Sequence, residues 1–309
     1  MFSFIMLTSN AYGQTTIDGT YDWQTEAQKK FNIYVPSSYS EDVPNKLIVG
    51  FHPFNPNRWD SEAWRDTLIQ FAESVDAILL CTDGGLDGKV DDQIDTSFTS
   101  FMIDSIQNDF NIDTEQVYGA GFSWGGRTTY TYGLHRPGLF NGHLVIGAAI
   151  NGLMEVGPVI DNSVLKSFYL VHGTADSPNT RFFPVKEALE DSNACVETNL
   201  MQGIGHTIDF PNRNEILKTA FEWLESRNCG FSSNEDQADI STSIYPNPTK
   251  NNFVVSHGEI LNVYNSNCVA LDIQINSQSV DLSDQATGVY YVQIKTMDKI
   301  ITKKIIKID

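Results

Sequence analysis

Ser123 lies in Gly121-Phe122-Ser123-Trp124-Gly125, a G-x-S-x-G pattern between the apolar run Val117 to Gly121 and a stretch from Trp124 that reads as the start of a helix. Placed on a sharp strand-to-helix turn, a serine has strained backbone angles, and flanking glycines leave room for the crossing strand and helix. The turn lifts the hydroxyl above the sheet, and the next amide, that of Trp124, can face a developing oxyanion. The chemistry in view is nucleophilic attack on a carbonyl. A serine hydroxyl is a weak nucleophile, so it requires a base, and the base requires an orienting carboxylate.

Chain order narrows the partners. On a sheet of this kind they follow as serine, acid, histidine. The six histidines are His52, His135, His143, His172, His206 and His257, and only the last two lie downstream of both the serine and a suitable acid. His257 falls in an all-β tail, which leaves His206, in the glycine-rich loop Gly203-Ile204-Gly205-His206-Thr207. The aspartates between Ser123 and His206 are Asp161, Asp176 and Asp191. Asp176 alone follows closely on a buried strand, so it should emerge on the serine's edge of the sheet. Asp161 sits in a polar connection and Asp191 ends a helical stretch. The second oxyanion donor should come from the loop His52-Pro53-Phe54-Asn55. Pro53 has no amide proton, so Phe54 is assigned with Trp124.

The elements that must position these groups read as follows. Phe31 to Val35 is an early edge strand stopped by Pro36, and Lys46 to His52 is apolar enough to be covered on both faces. A helix capped by Ser61 places Trp64, Leu68 and Phe71 (or Ile69) on one side. The strand Ala77 to Cys81 leads into a loop, Thr82 to Asp95, and a helix over Thr96 to Phe110 with Phe98, Phe101, Met102, Ile106 and Phe110 as its apolar face. After the Val117 strand and a helix to Leu134 come strands at Leu144 to Ile150, Phe168 to His172 and Thr198 to Gly203, then a helix over Glu215 to Arg227. Strands alternating with helices predict an α/β fold, a mostly parallel sheet with helices on both faces. Its reactive groups should gather beyond the carboxyl ends of the strands.

With 41% hydrophobic residues, the 309-residue chain can bury one large core and a small one. Its net charge of -19 repels phosphate backbones and anionic lipid, so nucleic acid is a poor partner and a neutral polymer or small ester a better one. Residues 1–13 read as a signal-peptide remnant lacking its basic start, with Ala11-Tyr12-Gly13 as a small-residue cleavage site. No stretch has the length of a transmembrane span. Residues 14–231 form the expected catalytic domain, 232–240 a polar linker, and 241–309 a small all-β sandwich. Of the four cysteines, Cys195 and Cys229 flank the segment bearing His206 and are expected to be bridged. Cys81 is expected to be a buried thiol, and Cys268 has no evident partner.

The chain resembles the α/β-hydrolase superfamily over residues 30 to 230. It is most similar to the branch of polyhydroxybutyrate depolymerase-like enzymes and feruloyl or acetylxylan esterases. The matching pieces are His52-Pro53-Phe54, Val117 to Gly126, His172-Gly173-Thr174-Ala175-Asp176 and Gly205-His206. Those enzymes usually carry His-Gly where this chain has His52-Pro53, a departure that stiffens the oxyanion loop. The tail resembles a type IX secretion sorting domain, through Ser243-Ile244-Tyr245-Pro246-Asn247-Pro248, Gly288-Val289-Tyr290-Tyr291-Val292 and Lys303-Lys304-Ile305-Ile306-Lys307. That resemblance implies export from a Bacteroidota cell, with the secretion machinery as partner.

A secreted serine esterase is therefore expected, with Ser123, His206 and Asp176 catalytic and no cofactor. Phe122, Trp59 and His52 are expected at the substrate, Phe122 and Trp59 joining Phe54 and Trp124 in an aromatic wall for a feruloyl, aryl or polyester group. A prolyl-oligopeptidase-type peptidase would use the same residue order. A surface glycan-binding protein with an unused triad is the reading outside enzymes. The loop Asp83 to Asp95 partly imitates a calcium site, with Asp83, Asp87 and Asp91 at ligand positions and Gly88 at the turn, but Gly85 and Ile94 stand where ligands are needed. A solvated wall of the cleft is the expected reading of that loop, and calcium a minor one.

Overall fold

The computed structural model describes residues 14–54, 57–136, 138–149, 160–226, 244–256, 258–266, 269–295 and 300–308. The expected signal remnant and linker, and Cys229, Cys268 and His257, lie outside these residues. Eight strands form one sheet in the order β1-β2-β4-β3-β5-β6-β7-β8. They are β1 (Thr15–Trp23), β2 (Glu26–Val35), β3 (Asn45–Phe51), β4 (Ala77–Thr82), β5 (Ile112–Phe122), β6 (Gly142–Ile146), β7 (Ser167–Gly173) and β8 (Cys195–Met201). From β4 across to β8 every pairing is parallel. The pairs β1–β2 and β2–β4 are antiparallel.

Helices cover both faces, as side-chain alternation dictates. Ile48, Leu79, Tyr118 and Leu144 point to one face, against Trp64, Leu68 and Phe71 of α1 (Ser61–Ser74). The residues next to them, Leu47, Val49, Ile78, Leu80 and Val117, point to the other, against Phe98, Met102 and Ile106 of α2 (Gln93–Asp109). The helix α3 (Trp124–His135) packs Tyr130 and Leu134 over Val145, Phe168 and Leu170.

Three expectations are corrected. Phe31 to Val35 is not an edge: β1 pairs outside β2 along its length. In β1, Ile17, Tyr21 and Trp23 alternate with polar residues, and all three are only half-buried. Ser61 does not cap α1. Asp60 does, accepting from the Ala63 amide at 2.9 Å, while the Ser61 hydroxyl turns to Asn32. A carboxylate with extended backbone angles is the better N-cap. Finally, α2 starts at Gln93 rather than Thr96, because Asp92 and Asp95 form a capping box.

Beyond residue 243 the chain is all-β. One sheet has the order β12-β13-β10-β9 and another β11-β14-β15, comprising β9 (Ile244–Tyr245), β10 (Asn252–Val255), β11 (Glu259–Asn265), β12 (Ile275–Asn276), β13 (Ser279–Asp281), β14 (Gly288–Lys295) and β15 (Ile300–Lys307). They enclose a core of their own, with Phe253, Val263, Val280, Val292 and Ile305 at its centre.

Candidate active site

The turn from β5 into α3 puts Ser123 at φ +56°, ψ −115°, a conformation few side-chain-bearing residues adopt. Its neighbours explain how. A Cβ on Gly121 would run into the backbone of Gly125, and one on Gly125 into the Phe51 carbonyl at the end of β3. The strained serine is pinned by its own amide, which donates to Ile146 at 2.9 Å, and by its carbonyl, which accepts from Arg127 at 3.0 Å.

Asp176 and His206 follow the carboxyl ends of β7 and β8, and the two loops are stitched together. The Thr174 amide donates to the Met201 carbonyl (2.9 Å), that of Ala175 to Ile204 (2.9 Å), and that of Gly203 to the Thr174 hydroxyl (2.8 Å). His206 Nδ1 lies 2.8 Å from Asp176 Oδ2, and its Nε2 lies 2.8 Å from Ser123 Oγ. A carboxylate can only accept, so Nδ1 carries the proton and Nε2 is free to accept from the hydroxyl. Asp176 is buried, whereas the His206 side chain is 39% exposed. The Phe122 ring packs against the imidazole at a centroid distance of 4.9 Å.

A second histidine, this one buried, supports the acid. His172 Nε2–H donates to the Asp176 carbonyl at 2.9 Å. Burial holds His172 below the usual histidine range, against the opposing pull of that carbonyl and of the Asp176 carboxylate. Arg181, on the one-turn helix α4 (Pro178–Arg181), donates through Nη2 to the Gly147 carbonyl at 2.7 Å, and its Nε lies 3.4 Å from Asp176 Oδ1.

Trp124 is the first residue of α3, so its amide has no acceptor within the helix and sits at the positive end of the dipole. Phe54 is 46% exposed, and its ring lies 6.2 Å from that of Trp124. Phe54 thus lies beside Trp124, which with Ser123, Arg127, Ala149 and Arg181 lines a cleft of about 280 Å³.

Two residues assigned to the substrate lie elsewhere. His52 is fully buried: its Nε2 accepts from the Gly84 amide at 3.0 Å, tying the loop after β3 to the loop after β4. Trp59 packs edge-on against Trp64 in the core, under the Arg58 guanidinium. Their apolar or polar character was legible, but the depth at which they sit was not. Arg127, Arg181 and Ala149 were not foreseen. Arg127 stands one turn beyond Ser123 and could have been read from that spacing. Arg181 reaches the cleft from the end of α4, where it contacts Gly147 and Asp176, and nothing local in the sequence signals this.

The acidic loop gathers no cation site among the described residues. Asp83 turns to His52 (3.4 Å), Asp87 to Lys89 (3.6 Å), and Asp91 accepts from the Trp124 indole (3.0 Å). The three carboxylates are drawn to three different partners and do not converge on a common point, so the arrangement lends the minor calcium reading no support. The loop instead braces the cleft: the Thr128 hydroxyl donates to the Val90 carbonyl at 2.5 Å, and Lys89 lies over the Phe54 and Trp124 rings. Cys195 is disulfide-bonded, while Cys81 is a buried free thiol whose ionisation burial opposes.

Residues 243–308 match the secretion system C-terminal sorting domain family. The chain is 32% identical over 216 residues to a bifunctional acetylxylan esterase/xylanase of Neocallimastix patriciarum, a match covering 66% of this chain and 29% of that protein. It is 25% identical over 161 residues to feruloyl esterase D of Neurospora crassa, covering 48% and 53%. The chain thus spans under a third of the first relative and about half of the second. A solved fungal esterase structure from Rhizomucor miehei superposes with a TM-score of 0.57 at 14% identity, over 71% of this chain and 84% of that one. No helix among the described residues is long and apolar enough to cross a membrane. The chain has the α/β-hydrolase fold and ends in a sorting domain that directs it through type IX secretion to the cell surface or beyond.

Proposed function

We propose that the chain is a serine esterase acting outside the cell on carboxylic esters, through an acyl-enzyme. The observation that carries this reading is the unbroken relay from Ser123 Oγ through His206 to Asp176, 2.8 Å at each step, mounted on a strained serine. His206 Nε2 takes the hydroxyl proton as Oγ attacks the ester carbonyl, and Asp176 stabilises the resulting imidazolium. The Trp124 and Phe54 amides hold the oxyanion, and losing one such donor typically costs about a hundred- to a thousandfold in rate. The imidazolium then protonates the departing alkoxide, and water, deprotonated by the same nitrogen, releases the acid.

The names of the relatives turn the substrate toward acetyl or feruloyl esters on polysaccharide, and the exposed Phe54 beside Trp124 offers an aromatic wall for such a group. In this reading residues 14–231 are the catalytic domain, 232–240 a linker and 241–309 the sorting domain. The same reading takes residues 1–13 as a signal-peptide remnant and the source as a member of the Bacteroidota.

Hydrolysis of p-nitrophenyl acetate and methyl ferulate by the full chain, beside Ser123→Ala, tests the proposal. Both esters should turn over, and the substitution should abolish turnover of each while the circular dichroism spectrum stays unchanged. A folded wild-type chain that hydrolyses neither ester, or a Ser123→Ala variant that still does, would sink it.

A further inference from the structure

We propose that the cleft beside Ser123 selects esters carrying a carboxylate, recognised by Arg127 with Arg181 as a second cation. This rests on the esterase reading and adds the charge of the substrate to it.

Of the five described residues that line the cleft, two are arginines and none is acidic, in a chain with only 20 basic residues against 39 acidic ones. Arg127 is placed by the helix that places the nucleophile. Its amide donates to the Ser123 carbonyl, so its side chain rises on the same face one turn further on. The guanidinium stacks 4.8 Å from the centre of the Trp124 ring.

The nearest acid pairs with it only at long range. Arg127 Nη1 is 3.9 Å from Asp91 Oδ2, and that oxygen already accepts the Trp124 indole proton at 3.0 Å. Asp91 therefore orients the guanidinium. The Nε of Arg127 is buried without a hydrogen-bond partner among the described residues, whereas that of Arg181 faces Asp176 Oδ1 at 3.4 Å. The Arg127 side chain as a whole is 34% exposed and lines the cleft, so it presents open cationic surface to an acceptor there. A carboxylate suits a planar guanidinium because its two oxygens match the fork of N–H donors. The long-range field of the chain repels anions, but at physiological salt it is screened within about 8 Å, so recognition falls to groups at the cleft itself.

The carboxylate could sit on the acyl or the alcohol side, and paired substrates separate the two. On the acyl side, mono-p-nitrophenyl succinate is compared with p-nitrophenyl butyrate. On the alcohol side, 4-carboxyphenyl acetate is compared with its methyl ester. The wild-type chain should prefer the charged member of one pair. Arg127→Gln should lower kcat/KM for that ester by about ten- to a hundredfold, chiefly through KM, and leave the neutral esters within about twofold. Preference for the neutral ester in both pairs, or an equal loss on charged and neutral esters, overturns the proposal. Should no ester turn over, the esterase reading has failed separately. Calorimetric titration of monomethyl succinate into the Ser123→Ala chain then decides: binding removed by Arg127→Gln sustains carboxylate recognition, and absence of binding overturns it.

Discussion

At the scale of single residues, the serine is set by the absence of side chains around it. Ser123 keeps its positive φ because Gly121 and Gly125 let β5, α3 and the end of β3 approach closely. In Gly125→Ala the new Cβ meets the Phe51 carbonyl oxygen, and the His52 carbonyl oxygen lies 2.8 Å from it. Backbone oxygens cannot rotate aside, so α3 must move off β3, taking Ser123 and Trp124 with it. Displacement of about 1 Å at a reacting group is worth roughly a hundredfold in rate. Gly125→Ala should lose at least about that much ester turnover and melt at a lower temperature. Gly205→Ala, where nothing lies within 4 Å, should melt like the wild type. A Gly125→Ala chain with unchanged turnover and melting would refute the packing argument. This part of the site was legible because its cause is local: glycines two before and two after a serine, between a strand and a helix. His52 and Trp59 were misjudged for the converse reason, since residue type says nothing of depth when a loop dives under its neighbours.

Among the elements, the central strands were legible because each is apolar on both faces, a pattern that only a doubly covered parallel sheet demands. Strand β1 escaped notice because it alternates weakly at the end of the sheet, and the starts of α1 and α2 shifted because caps depend on backbone angles that composition does not fix. The same central strands carry a pH liability. His143, on β6, is buried, stacks on Phe168 at 4.3 Å, and its Nδ1–H donates to the Ser167 carbonyl. Desolvation, with the nearby Lys166 charge, pushes its pKa down from 6.5 to about 3, against the Ser167 bond. A folded-state value below the unfolded one means that the neutral ring's contribution is whole above about pH 6.5 and is lost as pH falls toward about 3. His143→Gln cannot titrate. Its melting temperature should lie below that of the wild type at pH 7, and the gap should narrow steadily by pH 4. A gap that stays constant or widens over that range would show that His143 does not carry this acid sensitivity.

For the whole molecule, the question is whether secretion and catalysis share a core. The clusters under the large sheet draw on residues between Ile17 and Leu224, and the cluster between the two small sheets on residues between Ile244 and Ile305, with no buried residue in common among those described. Charge divides in the same place. From Ile244 on, the basic residues Lys250, Lys295, Lys299, Lys303, Lys304 and Lys307 balance Glu259, Asp272, Asp281, Asp284, Asp298 and Asp309, so the net charge of -19 belongs to the residues before them. Two cores that close separately should unfold separately, since cooperativity follows shared burial. Deleting residues 241–309 should therefore remove one calorimetric transition, leave the melting of the remainder in place, and keep kcat/KM for p-nitrophenyl acetate within about twofold. Export should fail at the same time, because the segment matching the sorting domain, residues 243–308, is the part removed. A shortened chain that is insoluble or has lost ester turnover would mean that the tail supports the catalytic fold, and the proposed boundary would have to move.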